Sequence, residues 1–461
     1  MTECNESEFV FEGPGRRQSV ARFDGGDISS DGGALLLQAT EGKTAILSRF
    51  ADCFRDHRQS DRVSHSVREL VTQRVFGLCL SYEDLNDHDE LRRDPLLASL
   101  VGKSEPKEGA LASSSTLNRL ELGAEKVDGG ERYKKISLDF EAVDRLLVQS
   151  FIEAHPAPPV EIVLDLDATD DPLHGRQEGR FFHGFYDCYC YLPLYIFCGE
   201  HLLCARLRRS NIDGAKGSEE EVQRIVAQIR ASWPEVRIIL RGDSGFCREY
   251  LMAWCEREGV EYVFGIARNS RLEAMVEDAL GIAQMEFAGT GEPARVYRDL
   301  EYRTIDSWSR SRRVVGKAEH SRRGDNPRFV TTSLSLKEID AKQLYEDMYC
   351  ARGDMENRIK EQQLYLFADR TSSHWMRSNQ IRLYFSSIAY LLMQALRQIG
   401  LESTEFAKAQ CHTIRLKLLK IGALVRVTVR KVWIHLSSAY PYAEVFAEVW
   451  HKLRSSPSRF A

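Results

Sequence analysis

The stretch from Val160 to Pro172 constrains the fold more than any other part of the chain. It opens with a β-branched and apolar run, which predicts a buried strand. Asp165 and Asp167 follow two residues apart, so their carboxylates share one face if the strand continues through them. Buried carboxylates are costly unless a cation or hydrogen-bond donors meet them. Four aspartates within seven residues therefore favour a metal or phosphoryl-transfer site over a turn whose aspartates cap the next element.

The composition is that of an ordinary soluble protein of the cytoplasm. With 461 residues, 43% of them apolar and 28% charged, the chain is too long for one compact core and predicts several domains. Its start has neither a basic region nor an apolar core, and its apolar runs are short, so we expect no secretory signal and no membrane partner. Eleven scattered cysteines indicate reduced thiols.

Four of these cysteines cluster in the sequence, at Cys188, Cys190, Cys198 and Cys204. Zinc sites usually have paired short spacings such as Cys-x-x-Cys, and this segment lacks them. The segment also alternates aromatic and aliphatic residues, as a strand does. Buried thiols are therefore favoured over structural zinc.

A rigid proline-rich connector at 156–159 predicts the end of a first, mainly helical domain over residues 1–158. Asp31 or the serine before it is a candidate cap for the first helix. A second capped helix at 113–120 presents Arg119 in its early turns. In a helix-turn-helix unit such residues would contact DNA, but any capped surface helix has the same pattern, and both interpretations stay open.

Beyond the connector, residues 159–270 alternate strands and helices, which predicts an α/β domain with acidic residues at strand ends. Asp243 is one of these, two residues after an arginine that ends a predicted strand. The remaining predicted segments are a β-rich insertion (271–345), a helical segment (346–400) and a basic C-terminal tail (401–461). Within the tail, alternating valines and arginines from Leu424 to Leu436 predict one strand.

A third acidic position, Glu356, lies in a segment of helical character. Tyr349, Arg352, Glu356 and Lys360 share one face there, because steps of three and four residues keep side chains in line. A surface helix with an Arg352–Glu356 pair would look the same. Together with two strand-end aspartates, however, Glu356 completes the three carboxylates that would hold two Mg²⁺ ions for phosphodiester cleavage. Arg352 and Lys360 would then hold phosphate oxygens.

Three motifs carry a specific resemblance, and they are Asp167-Ala-Thr169, Arg241-Gly-Asp243-Ser-Gly-Phe246 and Tyr349-x-x-Arg352-x-x-x-Glu356. They resemble the DDE transposases of bacterial insertion sequences, close to insertion sequence family 1380 in the group related to insertion sequence 4. Wider wording, such as Thr169-Asp-Asp-Pro-x-His174-Gly and the late Ala439-Tyr-Pro-Tyr, extends the resemblance over nearly the whole chain.

The resemblance implies an α/β fold, namely an RNase H-like catalytic core with a β-rich insertion plus a mainly helical N-terminal domain. It implies that Asp167, Asp243 and Glu356 bind two Mg²⁺ ions, which Mn²⁺ can replace, and catalyse DNA cleavage and strand transfer. The expected partners are double-stranded DNA with terminal inverted repeats and target DNA, bound by a homodimer on paired ends. One position departs from the related group, which often has a lysine seven residues after the glutamate, where this chain has Gln363.

The net charge is −5, so contact with an anionic substrate must depend on local basic surfaces. The tail, with ten Lys and Arg against four Glu, is one of them, and a stretch of the insertion is another. The predicted phosphate contacts are Arg310, Arg312, Arg313, Arg322 and Arg323 in the insertion, and Arg426, Arg430 and Lys431 in the tail.

Two other functions remain open at this point. Asp165-x-Asp167-x-Thr169 after an apolar strand also matches the first motif of haloacid dehalogenase-like phosphatases, in which Asp165 would be the nucleophile. A domesticated DNA-binding protein without catalysis is the other alternative, although all three acidic positions are present.

Overall fold

The computed structural model describes residues 8–12, 15, 17–103, 105–106, 110–123 and 135–456. The fold is mixed α/β, with a large mixed sheet of nine strands. The chain separates into two compact units. The described residues within 1–51, 58–120 and 395–458 form one, called the terminal unit, and those within 52–57 and 121–394 form the other, called the central unit.

The helices are numbered in chain order. The α-helices are α1 (Ala34–Thr44), α2 (Ile46–Asp52), α3 (Val67–Cys79), α4 (Asp87–Leu91), α5 (Pro95–Val101), α6 (Ser114–Leu122), α7 (Phe140–Glu153), α8 (Ser218–Ser232), α9 (Glu249–Glu258), α10 (Ser270–Ala274), α11 (Glu277–Thr290), α12 (Ala341–Gln343), α13 (Gly353–Lys360), α14 (Met376–Ala395), α15 (Cys411–Ile414) and α16 (Ala443–Ser455). Turns of 3₁₀ geometry are Ser60–Arg62 and Cys350–Arg352, and π-helical segments are Leu344–Tyr349, Glu361–Tyr365, Leu396–Leu401 and Arg415–Leu419.

The strands are β1 (Phe9–Phe11), β2 (Ser19–Ala21), β3 (Ile28–Ser29), β4 (Phe54–Asp56), β5 (Ile136–Leu138), β6 (Glu161–Ala168), β7 (Asp171–Pro172), β8 (Phe181–His183), β9 (Cys188–Tyr191), β10 (Leu194–Cys198), β11 (His201–Arg206), β12 (Arg237–Gly242), β13 (Glu261–Ile266), β14 (Ala294–Tyr302), β15 (Arg312–Ser321), β16 (Gly324–Asp325), β17 (Arg328–Thr332), β18 (Ala423–Val427) and β19 (Val432–Leu436).

The central unit is built on the nine-stranded sheet, whose order is β11-β10-β6-β12-β13-β17-β15-β14, with β16 paired to β15. Strands β6, β12 and β13 run parallel, and the other pairs are antiparallel. Apolar residues of α8 and α9, such as Ile225 and Trp254, pack with Leu240 of β12 in a large core. A smaller cluster contains Ile239 and Leu344. Since neighbouring residues of a strand point to opposite faces, Leu240 and Ile239 belong to the two sides of the sheet.

The predicted β-rich insertion at 271–345 differs from the structure in two respects. It contains the helix α11, whose sequence carries two glycines and buries only Ala279 and Ala283, so it lacks a strong amphipathic pattern. Its strands also continue the central sheet, because β17 pairs with β13. The segment therefore extends the sheet that carries the strand-end aspartates.

The compact units divide the chain at points other than the predicted domain boundaries. The connector at 156–159 lies inside the central unit, since the preceding helix α7 packs on the same sheet. Tyr384 of α14 donates a hydrogen bond to Asp144 of α7 over 2.8 Å, which fixes α7 within this unit.

In the terminal unit, α1 begins without a side-chain cap, because its N-cap is Gly33. The expected cap, Asp31, instead accepts a hydrogen bond from the Tyr82 hydroxyl over 2.7 Å and pairs with Lys420 at 2.7 Å. Gly33 passes so close to Leu418 that a Cβ would lie 1.9 Å from its carbonyl oxygen. Close packing against the backbone of Leu418 therefore requires a glycine at position 33, where α1 begins.

The tail forms a hairpin where one strand was predicted. Strands β18 and β19 pair antiparallel, and Thr428 closes the turn between them with hydrogen bonds to Lys431. Arg430 and Lys431 lie in this turn and not on the strand that carries Arg426. Alternation alone could not locate the turn, which has no glycine or proline. Within the described part of the chain, no helix has the length and apolar character needed to cross a membrane.

Candidate active site

The two strand-end aspartates lie side by side because β6 and β12 are in register. Arg241 pairs with Asp165 in the parallel ladder. Asp167 and Asp243 are each two residues further on, and so follow on the same face of neighbouring strands. Asp243 lies in the turn after β12, where its Oδ1 accepts a hydrogen bond from the Gly245 N–H over 2.8 Å. One of its oxygens is thereby held, and the carboxylate is oriented beside Asp167.

Asp165 and Arg241 form a buried ion pair beneath these two aspartates. The guanidinium donates to both carboxylate oxygens, at 2.5 and 2.8 Å, and also to the Met348 carbonyl oxygen. Burial raises the pKa of Asp165, and the hydrogen bonds from Arg241 oppose that rise. Both oxygens of Asp165 are occupied, so it is poorly placed to be a nucleophile or a metal ligand.

Arg352 links the third carboxylate, Glu356, to the two strand-end aspartates. The Arg352 guanidinium donates to Asp167 Oδ1 over 2.9 Å and to Glu356 Oε1 over 3.4 Å. Asp167 and Arg352 are mostly buried, whereas the Glu356 side chain is about half exposed. The structure thus brings Asp167, Asp243 and Glu356 to one place, around a single cation supplied by the chain.

The charge state of Asp167 reflects this crowding. Burial raises its pKa to about 6, and the nearby Asp243 and Glu356 carboxylates add to the rise, while Arg352 opposes it. The Arg352 pKa is raised by the negative charge of Asp167 and Asp243 despite its burial. An excess of negative charge over the single arginine therefore remains at this edge of the sheet, which favours binding of further cations.

Tyr349 approaches the second aspartate across Gly265 of β13. A Cβ at Gly265 would lie 2.5 Å from the Tyr349 hydroxyl and 3.1 Å from the Ser244 N–H. Only glycine leaves this space, so Gly265 allows the tyrosine to lie beside the Asp243 turn. Burial raises the Tyr349 pKa, which keeps the phenol protonated and able to donate.

Lys360 and Gln363 lie further along the same helical segment. Lys360 is exposed at the end of α13. Gln363, at the position where the resembling group often has lysine, donates to the Asp170 carbonyl oxygen over 3.2 Å. It therefore ties the segment of the third carboxylate to the loop just after Asp167.

The carboxylate set suits a hard divalent cation, which prefers oxygen ligands. In the arrangement observed, no group of three or more His, Cys, Asp or Glu side chains among the described residues is set to hold a metal ion. The guanidinium of Arg352 lies between Asp167 and Glu356 and keeps them apart. The residues whose chemistry suits a metal ion are therefore Asp167, Asp243 and Glu356, and in this arrangement Arg352 lies between two of them.

Two of the arginines predicted to contact phosphate, Arg312 and Arg313, are used inside the fold. Arg312 is buried and donates to both Glu249 and Glu256, and Arg310 also pairs with Glu256. Arg313 pairs with Asp299. The prediction was wrong for Arg312, because the local charge excess is neutralised by glutamates far away in sequence. The exposed predicted cations are Arg310, Arg322 and Arg323 in the central unit, and Arg119, Arg426, Arg430 and Lys431 in the terminal unit.

Sequence reasoning missed Arg241 and Tyr186 as parts of the site. Arg241 precedes Asp243 by two residues, just as Asp165 precedes Asp167, and two parallel strands in register would bring the opposite charges together. That signal was present in the sequence. Tyr186 donates to the Ala168 carbonyl oxygen over 3.1 Å, and nothing in its neighbouring sequence indicated this.

The comparison with protein families settles the class. The family model for transposase DDE domain group 1 matches residues 11–458. The chain belongs to this family. It is a DNA-cleaving transposase, and the phosphatase and non-catalytic alternatives are not favoured.

No curated relative matches this transposase. Among solved structures it is similar to the cryo-EM structure of the piggyBac transposase synaptic complex with hairpin DNA, at 10% sequence identity and a TM-score of 0.43. That similarity covers 93% of this chain and 83% of the other.

Proposed function

We propose that this transposase cleaves DNA at the ends of a bacterial insertion sequence of family 1380 and joins those ends to target DNA, acting in the cytoplasm. The observation that carries the proposal is the Arg352 guanidinium held between Asp167 and Glu356, with Asp243 within electrostatic reach. The order β11-β10-β6-β12-β13, with the central strand carrying the first aspartate, supports an RNase H-like core.

The carboxylates of Asp167, Asp243 and Glu356 would hold two Mg²⁺ ions, or Mn²⁺ in their place. Bound there, the ions would activate a water or a 3′-hydroxyl and stabilise the leaving oxygen. The chain contributes the geometry. The buried Asp165–Arg241 pair ties β6 and β12 to the Met348 carbonyl oxygen, and so holds the third motif against the two strand ends.

Arg352 and Tyr349 would act on the reacting phosphate. An arginine fork matches two phosphate oxygens, and the phenol of Tyr349 supplies a further donor. With cations held by Asp167 and Glu356, the Arg352 guanidinium would be free to bind the phosphate in place of these carboxylates. The same guanidinium would therefore have two roles. Without substrate it pairs with the carboxylates, and with substrate bound it would stabilise the negative charge that develops on the phosphate. Lys360, which is exposed one turn beyond Glu356, would contact a nearby phosphate of the DNA backbone.

The exposed arginines and lysine would hold the rest of the DNA, which we propose is duplex carrying terminal inverted repeats, bound as paired ends by a homodimer. Each phosphate contact releases counterions, so affinity should fall with salt at a log–log slope of roughly −0.9 per contact. Neutralising all three exposed tail residues should flatten that slope by about two to three units. These residues are Arg426, Arg430 and Lys431. An unchanged slope would show that the tail hairpin is only structural.

The central experiment incubates the purified full-length chain with linear DNA containing the segments that flank its own gene. We expect cleavage and joining that require Mg²⁺ or Mn²⁺. Asp167→Asn, Asp243→Asn and Glu356→Gln should each abolish both steps. The matched control is Asp354→Asn, which neutralises an exposed carboxylate on the same helix and should leave cleavage intact.

Two outcomes would point elsewhere. Metal-dependent turnover of an aryl phosphate that is lost in Asp165→Asn would support phosphatase chemistry. Sequence-specific binding of the flanking DNA without any cleavage under either metal would support a domesticated DNA-binding protein.

A further inference from the structure

A small three-stranded sheet, β7-β9-β8, presents aromatic side chains to solvent. In the register of the β8–β9 hairpin, Phe182 lies opposite Tyr189, and their ring centroids are 5.5 Å apart. The Arg180 guanidinium stacks over the Tyr189 ring at 4.0 Å. Phe182 and Tyr189 are about half exposed, and Phe185 in the connecting turn is 85% exposed. The hairpin thus carries several large π-faces on its outer side.

This hairpin is held firmly at several points. The Tyr191 hydroxyl donates to the Glu178 carbonyl oxygen over 2.6 Å, and Ser210 donates to the Phe181 carbonyl oxygen over 3.0 Å. Leu173 N–H donates to the Tyr189 carbonyl oxygen over 2.7 Å. The backbone that carries the exposed rings is therefore anchored before any partner arrives, which lowers the ordering entropy that opposes binding.

The turn of the hairpin adjoins the candidate active site. Tyr186 points inward and donates to the carbonyl oxygen of Ala168, the residue after Asp167. Burial raises the Tyr186 pKa to about 12, and the carboxylates of Asp167, Asp170 and Asp243 add to the rise, so they lie within electrostatic reach. The Phe185 ring packs edge-on against Tyr186 with centroids 5.0 Å apart. Phe185 therefore contacts Tyr186, which in turn contacts the strand that carries Asp167.

We propose that the β8–β9 hairpin is a stacking platform for unpaired nucleobases beside the scissile phosphate. Phe185 takes the base nearest the cleaved bond, and the face formed by Phe182, Tyr189 and Arg180 takes a neighbouring base. This inference rests on the proposed function, because it needs DNA at Asp167.

The position and the chemistry of the platform select this partner. Whatever occupies a face that adjoins the carboxylates must share that space with the substrate, so the substrate is its natural occupant. In an intact duplex the faces of the bases are covered by their neighbours, and only an unpaired, unstacked base offers one. Aromatic rings and an arginine plane bind such a face without reading its sequence.

The test compares two fluorescent probes bound by the full-length protein in EDTA. One is a blunt duplex, and the other is the same duplex ending in an unpaired thymidine tail. Phe185→Leu keeps an apolar side chain but removes the π-face, and Phe185→Trp enlarges the face. We expect Phe185→Leu to weaken binding of the tailed probe about tenfold, to leave blunt duplex binding unchanged, and to keep the salt slope, because no phosphate contact is lost.

Phe185→Trp should bind the tailed probe as tightly as the wild type or more tightly. A 2-aminopurine placed in the tail beside the junction should be quenched by the wild type and by Phe185→Trp, but not by Phe185→Leu. The control is Phe23→Leu, which alters another highly exposed phenylalanine in the terminal unit and should leave both probes unaffected.

The inference is overturned if Phe185→Leu binds and quenches the tail like the wild type, or if Phe185→Ala weakens binding while Phe185→Leu does not, since the surface would then need only apolar bulk. In both cases wild-type cleavage of flanking DNA would persist, so the proposed function would stand. A wild type that neither binds nor cleaves DNA would overturn both.

Discussion

Replacing Asp167 by asparagine should stabilise the metal-free protein at neutral pH while abolishing its activity. The reason is the crowding of carboxylates at the strand ends. Burial, together with Asp243 and Glu356, raises the Asp167 pKa from 3.8 to about 6, even though Arg352 opposes the rise. The folded state therefore resists ionisation of this side chain, and an uncharged isostere removes the penalty.

The magnitude and its pH dependence follow from linkage. A shift of about two units at roughly 1.4 kcal/mol per unit amounts to about 3 kcal/mol. Below pH ~3 the carboxyl is protonated in both folded and unfolded chains, and Asp167 brings no penalty. As the pH rises from about 3 to about 6, the unfolded chain loses its proton first and the folded state loses stability. Above this window the full penalty applies.

The assay is denaturant unfolding of wild type and Asp167→Asn in EDTA at pH 4.5 and pH 7.5. We expect the advantage of the variant to be about 2 kcal/mol larger at the higher pH, because about 1 kcal/mol of the penalty is already present at pH 4.5. Added Mg²⁺ should stabilise the wild type and not the variant, since ligand binding to the folded state raises its stability. Asp347→Asn, which changes an exposed carboxylate in the third motif's helical segment, should show no such pH-dependent difference. An equal or smaller advantage at pH 7.5 than at pH 4.5 would refute the electrostatic reasoning.

The other predictions concern positions that hold the site together. Arg241→Ala leaves the Asp165 carboxylate buried without the guanidinium that binds both its oxygens, so the free energy of unfolding should drop by about 3 to 5 kcal/mol. Arg241→Lys keeps the positive charge and should lower the free energy of unfolding less, but calorimetry should show weaker Mn²⁺ binding than in the wild type. Arg312→Ala should destabilise by a similar amount, because its side chain is buried between two glutamates, and the salt slope of DNA binding should stay unchanged, which would fail if Arg312 contacted phosphate. Gly265→Ala would place a Cβ 2.5 Å from the Tyr349 hydroxyl, so cleavage should slow while the melting temperature changes less than for Arg241→Ala.

The strand that opens the site could be predicted in detail, because its signals are local. A β-branched run followed by alternating aspartates specifies both a buried strand and one acidic face. The second strand end was equally clear from Arg241-Gly-Asp243. The helical spacing of Tyr349, Arg352 and Glu356 gave their shared face, although the segment changes between π, 3₁₀ and α geometry.

What could not be predicted depends on partners distant in sequence. The local sequence around Arg312 predicts a surface cation. In the folded chain, however, Arg312 forms ion pairs with Glu249 and Glu256, which lie more than fifty residues earlier. Helix α11 packs on β14 and β15 through small alanine side chains, so its sequence shows no strong apolar stripe that would predict a helix. The tail hairpin turns at residues that carry no turn signature. In each case tertiary packing overrides a local pattern.

The pairing of β3 with β18 has a consequence for biosynthesis. Ser29 and Ala423 are register partners, so the terminal unit joins segments that the ribosome makes far apart in time. The ribosome releases the residues of the central sheet well before β18 is translated, and domains fold as they emerge. The carboxylate site can therefore assemble first, whereas the terminal unit is completed only after β18 has been translated. A chain interrupted before residue 423 would retain the nine-stranded sheet but could not close the terminal unit or carry its exposed basic hairpin.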